Sequence, residues 1–244
     1  MLMLAKMMPG VSAQVGAGGA GYAELYAAIP NKVIVYRADQ STAANGDTLT
    51  ASPWDNEVSA TNSGGNTSKV WQTGSLNGYR GLTSTETTGF SSGIADTSLW
   101  TSAARSYTVF AVEKRSGTNG GIIISDGSQG TKIEVAAGAC NFRFSYTDGE
   151  NRFLKDSLIS FSDGVPYVMA ARVDGSGNTR FNVNGAVATP AGTLISPVRS
   201  GNIFFASDGN SNIVSYEYIA SSDEIADVDM DAFVAALMVK WGIS

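Results

Sequence analysis

Along most of the chain, apolar residues alternate with polar ones in short runs, and clusters of Gly, Asn, Asp and Ser separate the runs. A period of two sends successive side chains to opposite faces of a strand. "KVIVYRAD" is one such β-rich run. "SYTVFAVEKR" carries Tyr107, Val109 and Ala111 on one face and Thr108, Phe110 and Val112 on the other. Both faces are apolar, which predicts a strand in the middle of a packed sheet. "GGIIISDGSQGTKIEV" reads as strand, Asp126-Gly127 turn, strand, and "NFRFSYTDGEN" puts Phe142, Phe144 and Tyr146 on one face. Asp174 to Gly177 turns the chain, and Asn184-Gly185 turns it again with the residue pair that a two-residue hairpin demands. "GNIFFASD" and "NIVSYEYIASS" complete the set, and "ANGDT" and "TNSGGNTS" flank Trp54-Asp55 as loops. No strand-helix-strand alternation occurs, so the pattern predicts an all-β sandwich or jelly roll.

The period changes once, at the end. Met230, Phe233, Val234, Leu237, Met238 and Trp241 recur at helical spacing and form one apolar stripe. Ser221 with Glu224 has the spacing of a capping box, and Asp223, Asp227 and Asp229 gather at the positive end. Lys240 occupies the last turn and Gly242 is placed to stop the helix. The stripe predicts a helix docked across an open edge or end of the sandwich, where it would block pairing with other chains.

The beginning has neither period. "MLMLAKMMPGVSAQVGAGGAGYAEL" is an apolar Met/Leu segment followed by a Gly/Ala run. A secretory signal places its cation before an apolar run of ~7–15 residues, whereas Lys6 follows its apolar run and Pro9-Gly10 breaks the next. Residues 1–30 are therefore read as an extended arm and residues 31–244 as one sandwich domain with a C-terminal helix.

Composition narrows the chemistry. Hydrophobic residues make up 43% of the 244 residues and charged residues 16%, enough to bury a core. The net charge of −6 without a dense basic window argues against nucleic acid as a partner. No segment is apolar for the ~18–20 residues a membrane span requires. Cys140 is the sole cysteine, so no internal disulfide can form. The chain has no histidine, which removes Ser-His, Cys-His and His-metal constellations together. No Asp-rich calcium loop stands out, and neither a metal nor a cofactor is expected.

The closing stretch "YEYIASSDEIADVDMDAFVAALMVKWGIS" resembles the end of concanavalin A-like, laminin-G-like jelly-roll domains of bacterial and tailed-phage proteins. "YRADQSTAANGDTLTASPWDNEVSATNSGGN", "SYTVFAVEKR" and "MAARVDGSGNTRFNVNG" resemble that family's opening strand with its Trp-Asp loop, its central strand, and its Asn-Gly hairpin. The resemblance covers residues 32–244 and implies a concanavalin A-like jelly-roll β-sandwich with one C-terminal amphipathic helix.

Three functions compete on this fold. Glycanases of this type carry Glu-x-Asp-x-x-Glu on one strand, or the same motif with one extra residue, so that nucleophile and acid share a face. No Glu here is followed two residues later by Asp. Glu217 lies in a strand between Tyr216 and Tyr218 and is expected to face solvent, so no catalytic residue is assigned. A lectin-like adhesion module needs aromatic faces and amide or carboxylate groups. Trp54, Asp55, Asn62 and Asn66 supply these types on one loop, with Trp71 or Trp100 nearby. The third reading, favoured by the arm and by the resemblance to tailed-phage particle components, is a virion structural protein assembled in the host cytoplasm. In that reading it decorates the capsid. Met1, Leu2, Met3, Leu4, Met7 and Met8 would grip the major capsid protein, another virion subunit or a second copy, and a host-surface glycan is the partner in the lectin alternative.

Overall fold

A computed structural model describes residues 21–59, 69–84, 90–95, 99, 106–116, 121–125, 131–135, 141–148, 151–192, 202–208 and 212–244. Helix α1 (Tyr22–Ala28) precedes strand β1 (Lys32–Arg37) and a 3-10 turn at Ala38–Gln40. Next come β2 (Lys69–Leu76), β3 (Tyr79–Ser84), β4 (Phe90–Ala95), β5 (Tyr107–Ser116), β6 (Gly121–Ser125) and β7 (Thr131–Val135). Then follow β8 (Asn141–Asp148), β9 (Asn151–Ser160), β10 (Pro166–Val173), β11 (Thr179–Val183) and β12 (Ala186–Ala188). The chain ends with β13 (Asn202–Asp208), β14 (Asn212–Ser221) and α2 (Asp227–Trp241).

Two antiparallel sheets form a jelly-roll β-sandwich. One runs β12-β11-β10-β5-β14-β3-β2 with β1 also on β14, and the other runs β4-β13-β6-β7-β8-β9. As its two apolar faces predict, β5 lies inside the first sheet, between β10 and β14. Asn184 and Gly185, at φ 48° and 86°, make the tight turn from β11 to β12. Those positive angles are the reason for the Asn-Gly pair.

Strand β14 serves two neighbours along one edge. Residues 213–215 pair with β3, and residues 217–221 pair with β1. Opposite β5 the register slips between Ser215 and Glu217, which makes Tyr216 a β-bulge. A bulge places two consecutive side chains on the same side. Ser215 and Tyr218 accordingly meet between the sheets at 2.8 Å, while Tyr216 and Glu217 both meet Trp241 of α2 on the outside.

Helix α2 covers the outer face of the first sheet, not an edge or end as the sequence suggests. Phe233 packs edge-on against Phe110 of β5 at 4.9 Å. Asp227 pairs with Arg172 of β10 at 2.5 Å, and Asp231 takes Arg180 and Asn182 of β11, each at 2.6 Å. The face is covered because β5 is apolar on both sides and a sheet exposed there would leave Phe110 in water. Met230, Phe233, Val234, Leu237 and Trp241 are buried as the stripe predicts.

The capping box does not form. The helix begins after Ala226, which lacks a side-chain cap. Ser221 belongs to β14 and donates to the Pro30 carbonyl at 2.8 Å, while Glu224 accepts the Gly175 amide at 3.1 Å. Ser221 Oγ also accepts the Asp223 amide at 3.1 Å, so neither side chain is left to cap the helix. At the other end Gly242 adopts φ 65°, and Ile243 N–H reaches the Met238 carbonyl at 2.9 Å, closing the helix as expected.

Residues 22–28, read as part of the arm, form helix α1 against α2, with Tyr22 stacked on Phe233 at 5.5 Å. The candidate anchors Met1, Leu2, Met3, Leu4, Met7 and Met8 lie outside the described residues, as does Cys140. No helix among the described residues is long and apolar enough to cross a membrane.

Candidate functional site

The loop after β1 is tied down from several directions. Asn56 accepts the Val35 amide at 2.9 Å and donates to Ser59 Oγ at 3.0 Å, and the Glu57 amide reaches the Val35 carbonyl at 3.0 Å. Trp54 therefore turns inward and meets Tyr36, Trp71 and Tyr218 at 5.5, 5.4 and 5.9 Å. Trp71 Nε1 donates to the Ser52 carbonyl at 2.8 Å. From β3, Arg80 donates to the carbonyls of Ala43 and Ser41 at 2.6 and 2.7 Å, fixing the segment after the 3-10 turn.

Between these two pinned segments lies a cleft of 480 Å³, within the ~300–1,000 Å³ range of small-ligand sites. Arg37, Gln40, Ser41, Thr42, Asp55 and Glu57 line it together with the nearly buried Trp54. Arg37 Nε bonds Glu57 Oε1 at 2.5 Å. Burial works against the Arg37 charge, yet the hydrogen bonds to Glu57 and Tyr22 keep its pKa above the ordinary arginine value. The cleft thus offers a fixed cation, carboxylates, a primary amide and hydroxyls. This set can donate to and accept from a hydroxyl-rich ligand on all sides.

Trp54 and Asp55, two of the four sequence candidates, do meet in this cleft. Trp54 is only 2% exposed, so it is a packing residue, not the stacking platform expected of it. Asp55 is exposed, Trp71 is buried, and Asn62, Asn66 and Trp100 lie outside the described residues. Arg37, Gln40 and Glu57 escape the sequence reading. Arg37 carried the available signal, as the charge that ends the apolar run "KVIVY".

Glu217 does not face solvent. It is 1% exposed, because the bulge at Tyr216 sends it under α2. Tyr22 donates to it at 2.5 Å, Trp241 Nε1 at 2.7 Å and Lys240 at 2.8 Å. With three donors the carboxylate joins β14, α1 and α2. A second buried carboxylate, Glu113, accepts Arg115 Nε at 2.8 Å, Tyr167 at 2.6 Å and the Tyr218 hydroxyl. Among the described residues, no group of three or more His, Cys, Asp or Glu is arranged to hold a metal ion.

These carboxylates leave a mark on the tyrosines. Burial first, and the neighbouring Glu217 charge second, push the Tyr22 phenol far up. Burial and Glu113 do the same to Tyr167 and Tyr218, and burial alone raises Tyr36. Tyr26 is pushed up to about 12 by burial and Glu57. An unfolded chain ionises its tyrosines near pH ~10. A raised folded pKa stabilises the fold fully below that pH and loses the contribution as pH climbs through the folded value. Stability is therefore expected to fall above pH ~10, with the buried tyrosines ionising together with the loss of β-sheet circular dichroism. Tyrosines that all titrate at the ordinary value while the fold persists would contradict the buried network.

No family model and no curated protein matches the sequence. Solved structures do match in shape. The binding domain of botulinum neurotoxin serotype D/C VPI 5993 superposes with a TM-score of 0.54 at 12% identity, over 85% of this chain and 52% of that one. Botulinum neurotoxin type C, which depends on interaction with two ganglioside molecules to enter cells, gives 0.53 at 12% over 85% and 51%. The fold is that of these β-sandwich binding domains. The CBM40 module of the Ruminococcus gnavus IT-sialidase, bound to α2,3-sialyllactose, gives 0.50 at 15% identity over 63% of this chain and 95% of that one. The chain spans about half the length of the botulinum chains it matches.

Proposed function

We propose that this protein is a non-enzymatic carbohydrate-binding module, and that the cleft between Arg37 and Asp55 holds the sugar. The observation that carries this reading is the convergence there of Arg37, Gln40, Ser41, Thr42, Asp55 and Glu57 around a rigid Trp54. Sugar recognition needs such a mixture of donors and acceptors, held in place before the ligand arrives. The fold neighbours that bind sialylated glycans or gangliosides support the class of ligand. The virion-decoration role rests on the arm, whose anchor residues lie outside the described structure, and the fold neighbours lend it no support.

Purified protein applied to a glycan array that includes sialylated structures is expected to retain a defined subset. Asp55→Asn removes one charged acceptor from the exposed side of the cleft. A hydrogen bond to a charged group contributes ~1.5–3 kcal/mol, so the variant should bind retained glycans about 10- to 100-fold more weakly. A blank array, or retention that Asp55→Asn leaves unchanged, would overturn this site.

A further inference from the structure

Beside the Arg37–Asp55 cleft is a smaller hollow of 160 Å³, built from Asp39, Thr73, Gly74, Gly78, Tyr79 and Arg80. Both hollows use residues 37–43 as a wall: Gln40 to Ala43 face the larger, Ala38 and Asp39 the smaller. Two contacts join them physically. Gln40 Nε2 donates to Asp39 Oδ2 at 3.0 Å, and Arg80, in the small hollow, holds the Ser41 and Ala43 carbonyls of the large one.

Tyr79 is a large aromatic left 36% exposed at this place. Its ring is held by an edge contact with Trp241, centroids 5.4 Å apart at 72°, and Trp241 is itself fully buried and bonded to Glu217. The ring is thus oriented before any ligand arrives. Asp39 is likewise fixed, since Lys240 donates to its other oxygen at 3.1 Å. Arg80 spends Nε and Nη1 on backbone carbonyls, and its Nη2 has no partner among the described residues. Gly74 and Gly78 adopt φ 67° and 79°, and a Cβ on either would meet nothing within 4 Å. That wall is bare backbone beside open space.

We propose that the hollow at Tyr79 is a second sugar subsite and that the ligand is an oligosaccharide crossing residues 37–43 from one hollow to the other. The inference rests on the carbohydrate-binding reading and names the size of its ligand. One sugar ring sits in the large cleft. The next lays its C–H face on Tyr79 and turns its hydroxyls to Asp39 and Arg80. A fixed aromatic surface beside a few placed polar groups is the chemistry that an amphipathic pyranose ring requires.

The test uses a printed array graded from monosaccharides to longer oligosaccharides. Each retained glycan and its terminal monosaccharide are then titrated in solution against wild type, Asp55→Asn, Tyr79→Ala and Tyr79→Phe. Tyr79→Ala is expected to lose about tenfold in affinity for the oligosaccharide and nothing for the monosaccharide, the factor a stacked aromatic contact provides. Tyr79→Phe keeps the ring and its Trp241 contact and should bind as wild type does, which separates lost stacking from a damaged fold. Asp55→Asn should weaken both ligands. Undiminished oligosaccharide binding by Tyr79→Ala, alongside weakened binding by Asp55→Asn, would overturn the second subsite and leave the first standing. Equal losses in Tyr79→Ala and Tyr79→Phe would also overturn it. A wild-type protein that retains no glycan would overturn both readings.

Discussion

Replacing Glu113 with alanine is expected to destabilise the fold by about 3–5 kcal/mol, the cost of removing one partner from a buried ion pair. Glu113 and the Arg115 side chain are 0% and 2% exposed and sit two residues apart on the inner face of β5. Arginine cannot shed its proton in a protein, so Glu113→Ala takes the carboxylate away from a guanidinium that stays charged between the two sheets. Burial works against that charge, and Glu113 is the main group that holds the Arg115 pKa up regardless. The Tyr167 and Tyr218 hydroxyls lose this carboxylate at the same time. Glu113→Gln keeps an oxygen for them and should cost less. The double variant Glu113→Leu, Arg115→Met removes both charges, and buried pairs replaced by apolar residues of similar volume are often neutral or better. Urea denaturation of the three variants should therefore rank Glu113→Ala least stable and the double variant clearly above it. A double variant no better than Glu113→Ala would mean that the pair itself stabilises this core.

Features written within a few residues were legible in the sequence. Asn184-Gly185 needs only its own backbone angles, Gly242 only the end of its helix, and β5 only its own alternation. What escaped was decided by distant partners. The buried pair Glu113–Arg115 does not stand out in the sequence, because its partners Tyr167 and Tyr218 come from distant strands. Tyr216, Glu217 and Tyr218 alternate well enough to read as a half-exposed strand. The bulge at Tyr216 and the cover from α2 are set by β5 and by residues 227–241. Trp54 stands in a polar loop and so suggests a ligand platform, but Asn56 ties that loop to β1 and commits the ring to the core. The cleft is assembled from residues 37–43 and 52–57 and pinned by Arg80, so no contiguous stretch contained it.

The same dependence on distant partners makes Trp241 the second position where a single change has a large effect. Its ring is fully buried and meets Tyr216 and Tyr79, each at 5.4 Å, while Nε1 donates to Glu217 at 2.7 Å. Truncating a buried tryptophan to alanine removes its transfer energy and leaves a cavity, together about 3–5 kcal/mol. Trp241→Phe fills most of that space but takes one of three donors from the Glu217 carboxylate. Lys240 and Tyr22 remain, so its loss should be about 1–3 kcal/mol. The two substitutions also separate stability from recognition. Trp241→Phe still presents a ring edge behind Tyr79 and should keep oligosaccharide affinity at temperatures where it is folded. Trp241→Ala withdraws the support that orients Tyr79, and its affinity should fall toward that of Tyr79→Ala. Chemical denaturation and glycan titration on the same preparations check both parts. If Trp241→Ala remained as stable as wild type, α2 would not be fastened to the sheet through this residue. If it were destabilised but bound oligosaccharide undiminished, the orientation of Tyr79 would not depend on the ring behind it.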